Sequence, residues 1–306
     1  MKSDVAWEEV TEALAADGWR ARVVPVARLD DVQARLAEVI TGCFDQDLEA
    51  YLLKWTSYEL PEAPLARSVV VGATPRPLTQ AVLTWRGEER TVQVPPHYAG
   101  YYTTPDKLAA AVRAALEPFG YSAARFEPPL KTLATCSGLA QYGYNNIAYV
   151  EGLGSYLMLA ACVSDAPSPK GTVWTEPHWM GRCSTCVACR RACPGGAITE
   201  QRLLLHTERC LTLHNEHTDP LPDWILPAMH HAAVGCLRCQ KACPVNKKAG
   251  LVVTEPEHFD EAETAALLAG EPAQRRSPET AAKMARCGLD YSPELMARNL
   301  ALLLPA

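Results

Sequence analysis

The sequence predicts a mixed α/β domain over residues 1–165, a cysteine-rich module over 166–248 and a short helical tail over 249–306. Three observations carry this. Segments with 3.6-residue apolar spacing alternate with short apolar or alternating runs as far as residue 163. Eight of the 12 cysteines then fall between Cys183 and Cys243, where β-forming stretches are few. Beyond 249, three segments at 259–269, 278–287 and 293–304 have helical patterning and no chemistry of their own.

Val5, Val10 and Leu14 share one helical face, and Gly18 ends that run. A β-type segment follows at 21–26. Asp30 or Asp31 is expected to cap a helix carrying Val32, Leu36, Val39 and Ile40, and 48–55 reads as a third helix. Residues 68–72 form an apolar run suited to a strand buried on both faces. The alternation over 81–85 and 90–94 about Gly87 predicts a hairpin, which Pro95 and Pro96 stop. Thr104 with Pro105 opens a helix that Pro118 and Gly120 close. After a short segment at 123–126, residues 131–140 read as helix, 147–150 and 156–163 as strands, and Gly152-Leu-Gly154 as the turn between these strands rather than a dinucleotide fingerprint.

At 306 residues the chain can bury one large core or two smaller ones. Its 48% hydrophobic and 21% charged composition is that of a soluble globular protein. Charges in the first ten residues take the place of a signal peptide's apolar core, and the longest apolar run, 156–163, is too short to span a bilayer. Twelve cysteines without an export signal predict a reducing, cytoplasmic setting rather than a disulfide framework. No P-loop or HExxH motif occurs, and the net charge of −6 weighs against a nucleic-acid partner.

The chemistry lies in the cysteines. Cys183-Ser-Thr-Cys186-Val-Ala-Cys189-Arg-Arg-Ala-Cys193-Pro194 is a C-x2-C-x2-C-x3-C-P run, and Cys236-Leu-Arg-Cys239-Gln-Lys-Ala-Cys243-Pro244 answers it, with Cys210 alone between them. In bacterial ferredoxins, three closely spaced thiolates of such a run hold one [4Fe-4S] cube and the fourth ligates the other cube. By that logic Cys183, Cys186, Cys189 and Cys243 hold the first cluster, and Cys193, Cys210, Cys236 and Cys239 the second. Two C-x2-C pairs also suit a structural zinc, but zinc leaves the third equally spaced cysteine and the crossed fourth ligand unexplained. The two prolines are expected to end the local helical turns and turn the chain away. Residues 182–193 and 236–248 contain Arg182, Arg190, Arg191, Arg238, Lys241, Lys247 and Lys248 and no Asp or Glu, so the rest of the chain sums to −13. Such cations offset the negative charge of a tetrathiolate cluster, although the same residues suit an ordinary solvated basic face. Cys43, Cys136, Cys162 and Cys287 lie outside the pattern and read as inert core thiols, and His230 and His231 as helix or surface residues. Glu176-Pro-His178-Trp-Met-Gly181 only faintly echoes a cobalamin-binding histidine motif.

Over residues 65–248 the chain resembles the epoxyqueuosine reductase family, which is related in layout to reductive dehalogenases. The resemblance rests on the cluster module with its solitary Cys210 and its Gly235-Cys236-x-x-Cys239-Gln240-x-x-Cys243-Pro244-x-Asn246 ending. It also rests on Leu133-Ala134-x-x-Ser137-Gly138-Leu139-Ala140-x-Tyr142-Gly143-Tyr144-Asn145 and on Gly154-Ser155-Tyr156. The resemblance implies a nitroreductase-like α/β domain that holds cobalamin with its lower base detached, here at Gly138, Gly143, Asn145, Gly154 and Ser155. It implies a ferredoxin-like double [4Fe-4S] module that passes electrons to the cobalt from an external ferredoxin or flavodoxin.

Two departures stand out. The family's proton-donating aspartate, about a dozen residues before the glycine loop, has no counterpart in Ala123-Ala-Arg-Phe-Glu127-Pro-Pro, and Tyr144 stands where many members have lysine. Glu127, Tyr142 and Tyr144 are the remaining candidate proton donors; a tyrosine of pKa about 10 keeps its proton at neutral pH. The sequence is therefore expected to encode a cobalamin-dependent iron-sulfur reductase that removes oxygen or halogen from a substrate smaller than tRNA. The alternatives are an electron-transfer protein without a substrate, and epoxyqueuosine reduction with a relocated acid.

Overall fold

The computed structural model describes residues 5–62, 64–199, 203–272 and 275–304. In chain order its first elements are α1 (Trp7–Ala16), β1 (Arg20–Pro25), α2 (Arg28–Ile40), α3 (Gln46–Trp55) and β2 (Ser68–Pro75). The hairpin β3 (Thr79–Trp85) and β4 (Glu88–Val94) follows, then α4 (Thr104–Leu116), β5 (Ala123–Phe126) and α5 (Leu130–Cys136). Next come β6 (Gln141–Tyr142), β7 (Ala148–Tyr149), β8 (Leu157–Ser164), α6 (Ala188–Ala192) and α7 (Leu211–Asn215). The chain closes with α8 (Arg238–Ala242), α9 (Pro244–Ala249), β9 (Glu257–Phe259), α10 (Glu261–Leu268), α11 (Pro278–Cys287) and α12 (Pro293–Ala301).

These elements form two compact units, one of residues 1–75, 102–186 and 201–204, the other of 76–101, 187–200 and 205–306. The borders expected at 165 and 248 do not coincide with them. The hairpin belongs with the cluster-module helices and the tail, because its apolar face is covered by α10, α11 and α12.

In the first unit an antiparallel sheet of order β1-β2-β8-β5 has helices on both faces. Alternation along β2 explains this: Val69 and Val71 pack with Leu29, Val32, Leu36 and Leu133 of α2 and α5, while Val70 packs with Val10, Leu14, Leu108 and Val112 of α1 and α4. Both faces of β2 are therefore buried, as its unbroken valine run predicts. Register sets Val70 between Val23 and Cys162. Helix α4 opens at Thr104-Pro105 as expected but with its N-cap one residue earlier, at Thr103, whereas α2 opens at Arg28 without a side-chain cap. Asp30 and Asp31 instead occupy its first turn, where their charge favours the helix dipole. Helix α5 stops at Cys136, short of the expected 140, because Gly138 takes a left-handed φ of 71°.

In the second unit the hairpin turns on Arg86 and Gly87, both at positive φ, and β9 pairs with β3 in parallel. Phe259, Leu267, Met284, Leu295, Met296 and Leu300 close the core under the sheet. Asp260 and Glu263 form a reciprocal capping box at the start of α10, and Ser277 caps α11. No helix among the described residues is long and apolar enough to cross a membrane.

Candidate functional site

Of the eight motif cysteines, Cys183 and Cys186 lie in the first unit and Cys189, Cys193, Cys210, Cys236, Cys239 and Cys243 in the second. All eight are half-buried except for the buried Cys243. Within the second unit the two motif runs fold alike: α6 and α8 are five-residue helices that pack together, each ending on a cysteine, Cys193 or Cys243, in extended conformation. Pro244 does more than end its turn, since it is the first residue of α9. Asn246, the last residue of the motif, donates Nδ2–H to the Gln240 carbonyl at 2.9 Å and so ties α9 to the end of α8.

Cys193, Cys210 and Cys236 are gathered by contacts that only small residues permit. Gly195 lies against the Arg209 backbone carbonyl, where any Cβ would collide with that oxygen, and Arg209 Nε donates back to the Gly195 carbonyl at 3.1 Å. The segment after Cys193 therefore runs against the residue before Cys210. The Ala197 amide donates to Cys193 Sγ at 3.3 Å. Gly235, with φ of 62°, sits against the Tyr98 hydroxyl, which donates to the Glu216 carboxylate just past α7.

The thiols respond to this gathering. Burial raises the Cys210 pKa, and the neighbouring Cys193 charge adds to it, while the amides of Thr212 and Leu213 favour the thiolate. Burial pushes Cys236 up to about 11, with Cys210 and Cys193 contributing and the Arg238 amide opposing. Sulfur atoms faced by backbone N–H groups and mutually repelling as thiolates are what bound iron would stabilise, because each becomes a thiolate ligand and the N–H donors remain. The donor set fits a [4Fe-4S] cluster. Among the described residues no three His, Cys, Asp or Glu side chains converge closely enough to hold a single metal ion.

The positioning residues that sequence reasoning missed are Tyr98, Asn215 and Asn299. Asn299, fully buried in α12, donates to the carbonyls of Asn215 (3.0 Å) and Ala233 (2.9 Å). Asn215, fully buried in α7, donates to the Gly235 carbonyl at 2.9 Å. The tail thus braces the segments that carry Cys210 and Cys236, a role not expected of it. Its signal was an asparagine on the apolar stripe Leu295, Met296, Leu300.

His231 accepts from the Leu237 amide at Nε2 and faces the Met229 carbonyl at Nδ1, so both ring nitrogens are engaged with backbone. Cys136, Cys162 and Cys287 are buried, and burial pushes them up to about 11, 12 and 12, which leaves them inert at neutral pH. Cys43 is exposed, so the core reading does not hold for it.

The other candidate residues belong to the first unit. Strand β6 lies between β7 and residues 178–180: the Tyr142 amide donates to the His178 carbonyl at 3.1 Å and the Met180 amide to the Tyr142 carbonyl at 2.8 Å. His178 itself is exposed and bonds to Gln141 and the Glu176 carbonyl. Tyr142 is buried, its hydroxyl 3.1 Å from Thr132 Oγ1, and burial pushes its pKa up to about 12. Tyr144 is half-buried with its ring edge-on to Trp179 at 4.6 Å. Asn145 is buried, donating to the Tyr149 hydroxyl at 2.9 Å, and Gly143 packs against both of these residues. Gly154 accepts and donates backbone bonds with Val150, and Ser155 is buried beside it. Glu127 lies apart from burial, with its exposed carboxylate paired to Arg125.

Two buried polar atoms here have no partner among the described residues, the acceptor Asn145 Oδ1 and the donor Trp179 Nε1. Unpaired buried groups of this kind are costly, and a bound polar group would offset that cost. Gly143, Tyr144, Asn145 and Trp179 thus form a cluster that leaves one acceptor and one donor open to a bound group.

Residues 182–246 match the family described as "4Fe-4S double cluster binding domain". The chain is 30% identical over 161 residues to the epoxyqueuosine reductase of Shewanella oneidensis, covering 50% of this chain and 39% of that protein. The Escherichia coli enzyme of that name is 33% identical over 139 residues, covering 45% and 34%. The chain thus spans well under half the length of these curated relatives. Epoxyqueuosine reductase from Streptococcus thermophilus has the same fold at TM-score 0.62 and 14% identity, over 98% of this chain and 80% of that one. The Bacillus subtilis enzyme gives 0.58 and 19%, over 97% and 80%. In sequence, in its double-cluster segment and in its mixed α/β fold, this chain resembles the epoxyqueuosine reductases.

Proposed function

We propose that the protein is an iron-sulfur reductase that binds cobalamin and removes an oxygen atom from an epoxyqueuosine-class substrate. The observation that carries this is the gathering of Cys193, Cys210 and Cys236 inside a segment matching the double-cluster domain. Converting an epoxide to an alkene and water consumes two electrons and two protons, so a substrate site must be served by electron carriers and by a proton donor. [4Fe-4S] centres reach potentials of about −700 mV, low enough to feed a demanding reduction. Cobalamin, when bound, supplies a strongly reducing metal centre. Gly143, Asn145 and Trp179 would hold it, through close backbone approach at Gly143 and through the two unsatisfied polar atoms.

Among the candidate donors, Tyr144 is the half-buried one beside those atoms, whereas Tyr142 spends its hydroxyl on Thr132 and Glu127 is tied to Arg125. Tyr144→Phe is expected to lower turnover by about 100-fold, in the usual range for losing a general acid. Tyr142→Phe is expected to cost about 1 kcal/mol of stability with turnover nearly unchanged. The reverse pattern in steady-state rates and urea unfolding would reassign the acid.

A substrate other than the modified tRNA nucleoside is the second reading. It is favoured by the exposed, ion-paired Glu127 in the region where the resembling family carries its aspartate. The names of the curated relatives do not favour the smaller substrate expected from the sequence. The experiment is anaerobic loading with iron, sulfide and cobalamin, desalting, cobalt analysis, and incubation with an epoxyqueuosine-bearing tRNA stem loop and a chemical reductant. Retained cobalt with queuosine formation supports the first reading; retained cobalt without it supports the second; no retained cobalt removes cobalamin and favours an electron-transfer protein without a substrate.

A further inference from the structure

The second unit carries an open cavity of about 480 Å3 lined by Gln93, Arg191, Ala192, His231, Arg238 and Lys241. Three of these six residues are cations, and no carboxylate among the described residues pairs with any of the three. Lys241 donates to the neutral Gln93 side chain, and Arg238 donates to the Ala228 carbonyl at 3.3 Å while its buried Nε has no partner. His231 is held by two backbone bonds. In a chain of net charge −6 these three cations gather at one cavity without a side-chain counter-ion; bound clusters would offset part of their charge, and the open mouth remains attractive to an anionic partner.

Their position narrows what that is. Arg191 stands two residues before Cys193, Arg238 directly before Cys239, and Lys241 two residues before Cys243. A molecule seated on this patch therefore lies against the helices that end in cluster thiols. A polynucleotide calls for a stripe of phosphate contacts along its backbone, and this cavity offers three cations at one place in a chain of net charge −6. Electron-transfer partners instead form small, transient, electrostatically steered interfaces.

We propose that this pocket docks the acidic face of a small low-potential electron-transfer protein and is the electron entry point of the molecule. The proposal rests on the iron-sulfur reading above and adds the site and charge of the partner. One electron leaves the donor and one cluster takes it up, with no bond made or broken.

The test uses the full-length, cluster-loaded protein and a bacterial flavodoxin as the acidic donor. Binding of oxidised flavodoxin is measured by calorimetry at about 20 mM and about 200 mM salt, which spans strong and weak screening. The reduced flavodoxin is then mixed rapidly with the protein, and cluster bleaching is followed. Wild-type Kd is expected to rise about tenfold or more with salt, and Arg191→Gln/Arg238→Gln/Lys241→Gln to weaken low-salt binding about tenfold and flatten the salt dependence. The single variant Arg191→Glu, at an exposed position, is expected to act in the same direction if the triple variant fails to fold. Reduced methyl viologen, a small cation, should bleach the clusters of all variants at the wild-type rate.

Salt-independent flavodoxin binding, or unchanged binding by Arg191→Glu, overturns the docking site. Equal slowing with methyl viologen also overturns it, since the cations then serve the clusters' own charge. Absence of labile sulfide and of the broad visible absorbance of the clusters before any reductant is added contradicts the iron-sulfur reading itself, a result distinct from either.

Discussion

Replacing Cys210 with alanine is expected to remove about half of the iron and labile sulfide, roughly four of about eight atoms of each, while leaving the protein folded. Cys210 lies 17 residues after Cys193 and 26 before Cys236 in a stretch with no other cysteine, so its membership in a cluster was inferred by counting and resemblance alone. It precedes α7 with two amides facing its sulfur, and its thiol is coupled electrostatically to Cys193 and, through Cys236, to the second motif run. A cluster with three remaining thiolates and an open iron site is labile, so partial loss with faster decay in air is the expected signature. Cys162→Ala, in the core of the first unit, is the matched control and should leave the iron content intact. Equal iron in wild type and Cys210→Ala would remove Cys210 from the cluster and leave the second set of four incomplete.

Asn299→Leu is expected to destabilise the protein by about 2–5 kcal/mol and to lower iron occupancy, although residue 299 is far in sequence from every motif cysteine. The side chain is fully buried and its amide serves two backbone carbonyls, those of Asn215 and Ala233. Leucine of similar volume leaves both acceptors unsatisfied in the core, each costing roughly 1–3 kcal/mol. Because Asn215 in turn holds the Gly235 carbonyl, the loss reaches the residue directly before Cys236. Urea unfolding gives the first effect and iron per folded chain the second. A variant destabilised by this amount but with full iron would show that α12 supports the core without bracing the cluster ligands.

The cysteine pattern was legible because ligand spacing is a property of a few consecutive residues, and the match over residues 182–246 agrees with it. The Thr104-Pro105 start of α4, the Arg86-Gly87 hairpin and the doubly buried β2 were legible for the same reason, since each is a local rule of backbone or periodicity. What the chain did not disclose is pairing at a distance. The alternation in β3 and β4 says that one face is covered and cannot say that residues 257–304 cover it, so sequence order alone assigns the hairpin to the N-terminal domain. Asn299 sits in an apolar stripe whose periodicity reads identically whether the asparagine is buried or exposed; only the facing carbonyls of residues 215 and 233 give it a reason. The roles of Gly195 and Gly235 likewise depend on Arg209 and Tyr98, residues brought to them by folding.

The candidate proton donors divide for a related reason. Residue type nominated Glu127, Tyr142 and Tyr144 alike, and environment separates them: one is paired at the surface, one is bonded to Thr132 in the core, and one lies half-buried against Trp179. No local pattern in the sequence predicts those three surroundings.

Two iron-sulfur clusters on eight thiols, as proposed, are measured by metal and sulfide content after anaerobic reconstitution, read together with the EPR spectrum of the reduced protein. About eight irons and eight labile sulfides per chain, with the fast-relaxing signals of reduced [4Fe-4S] centres, are the predicted result. Stoichiometric zinc bound in preference to iron, with no labile sulfide, would contradict it and turn the cysteine module into a structural metal site.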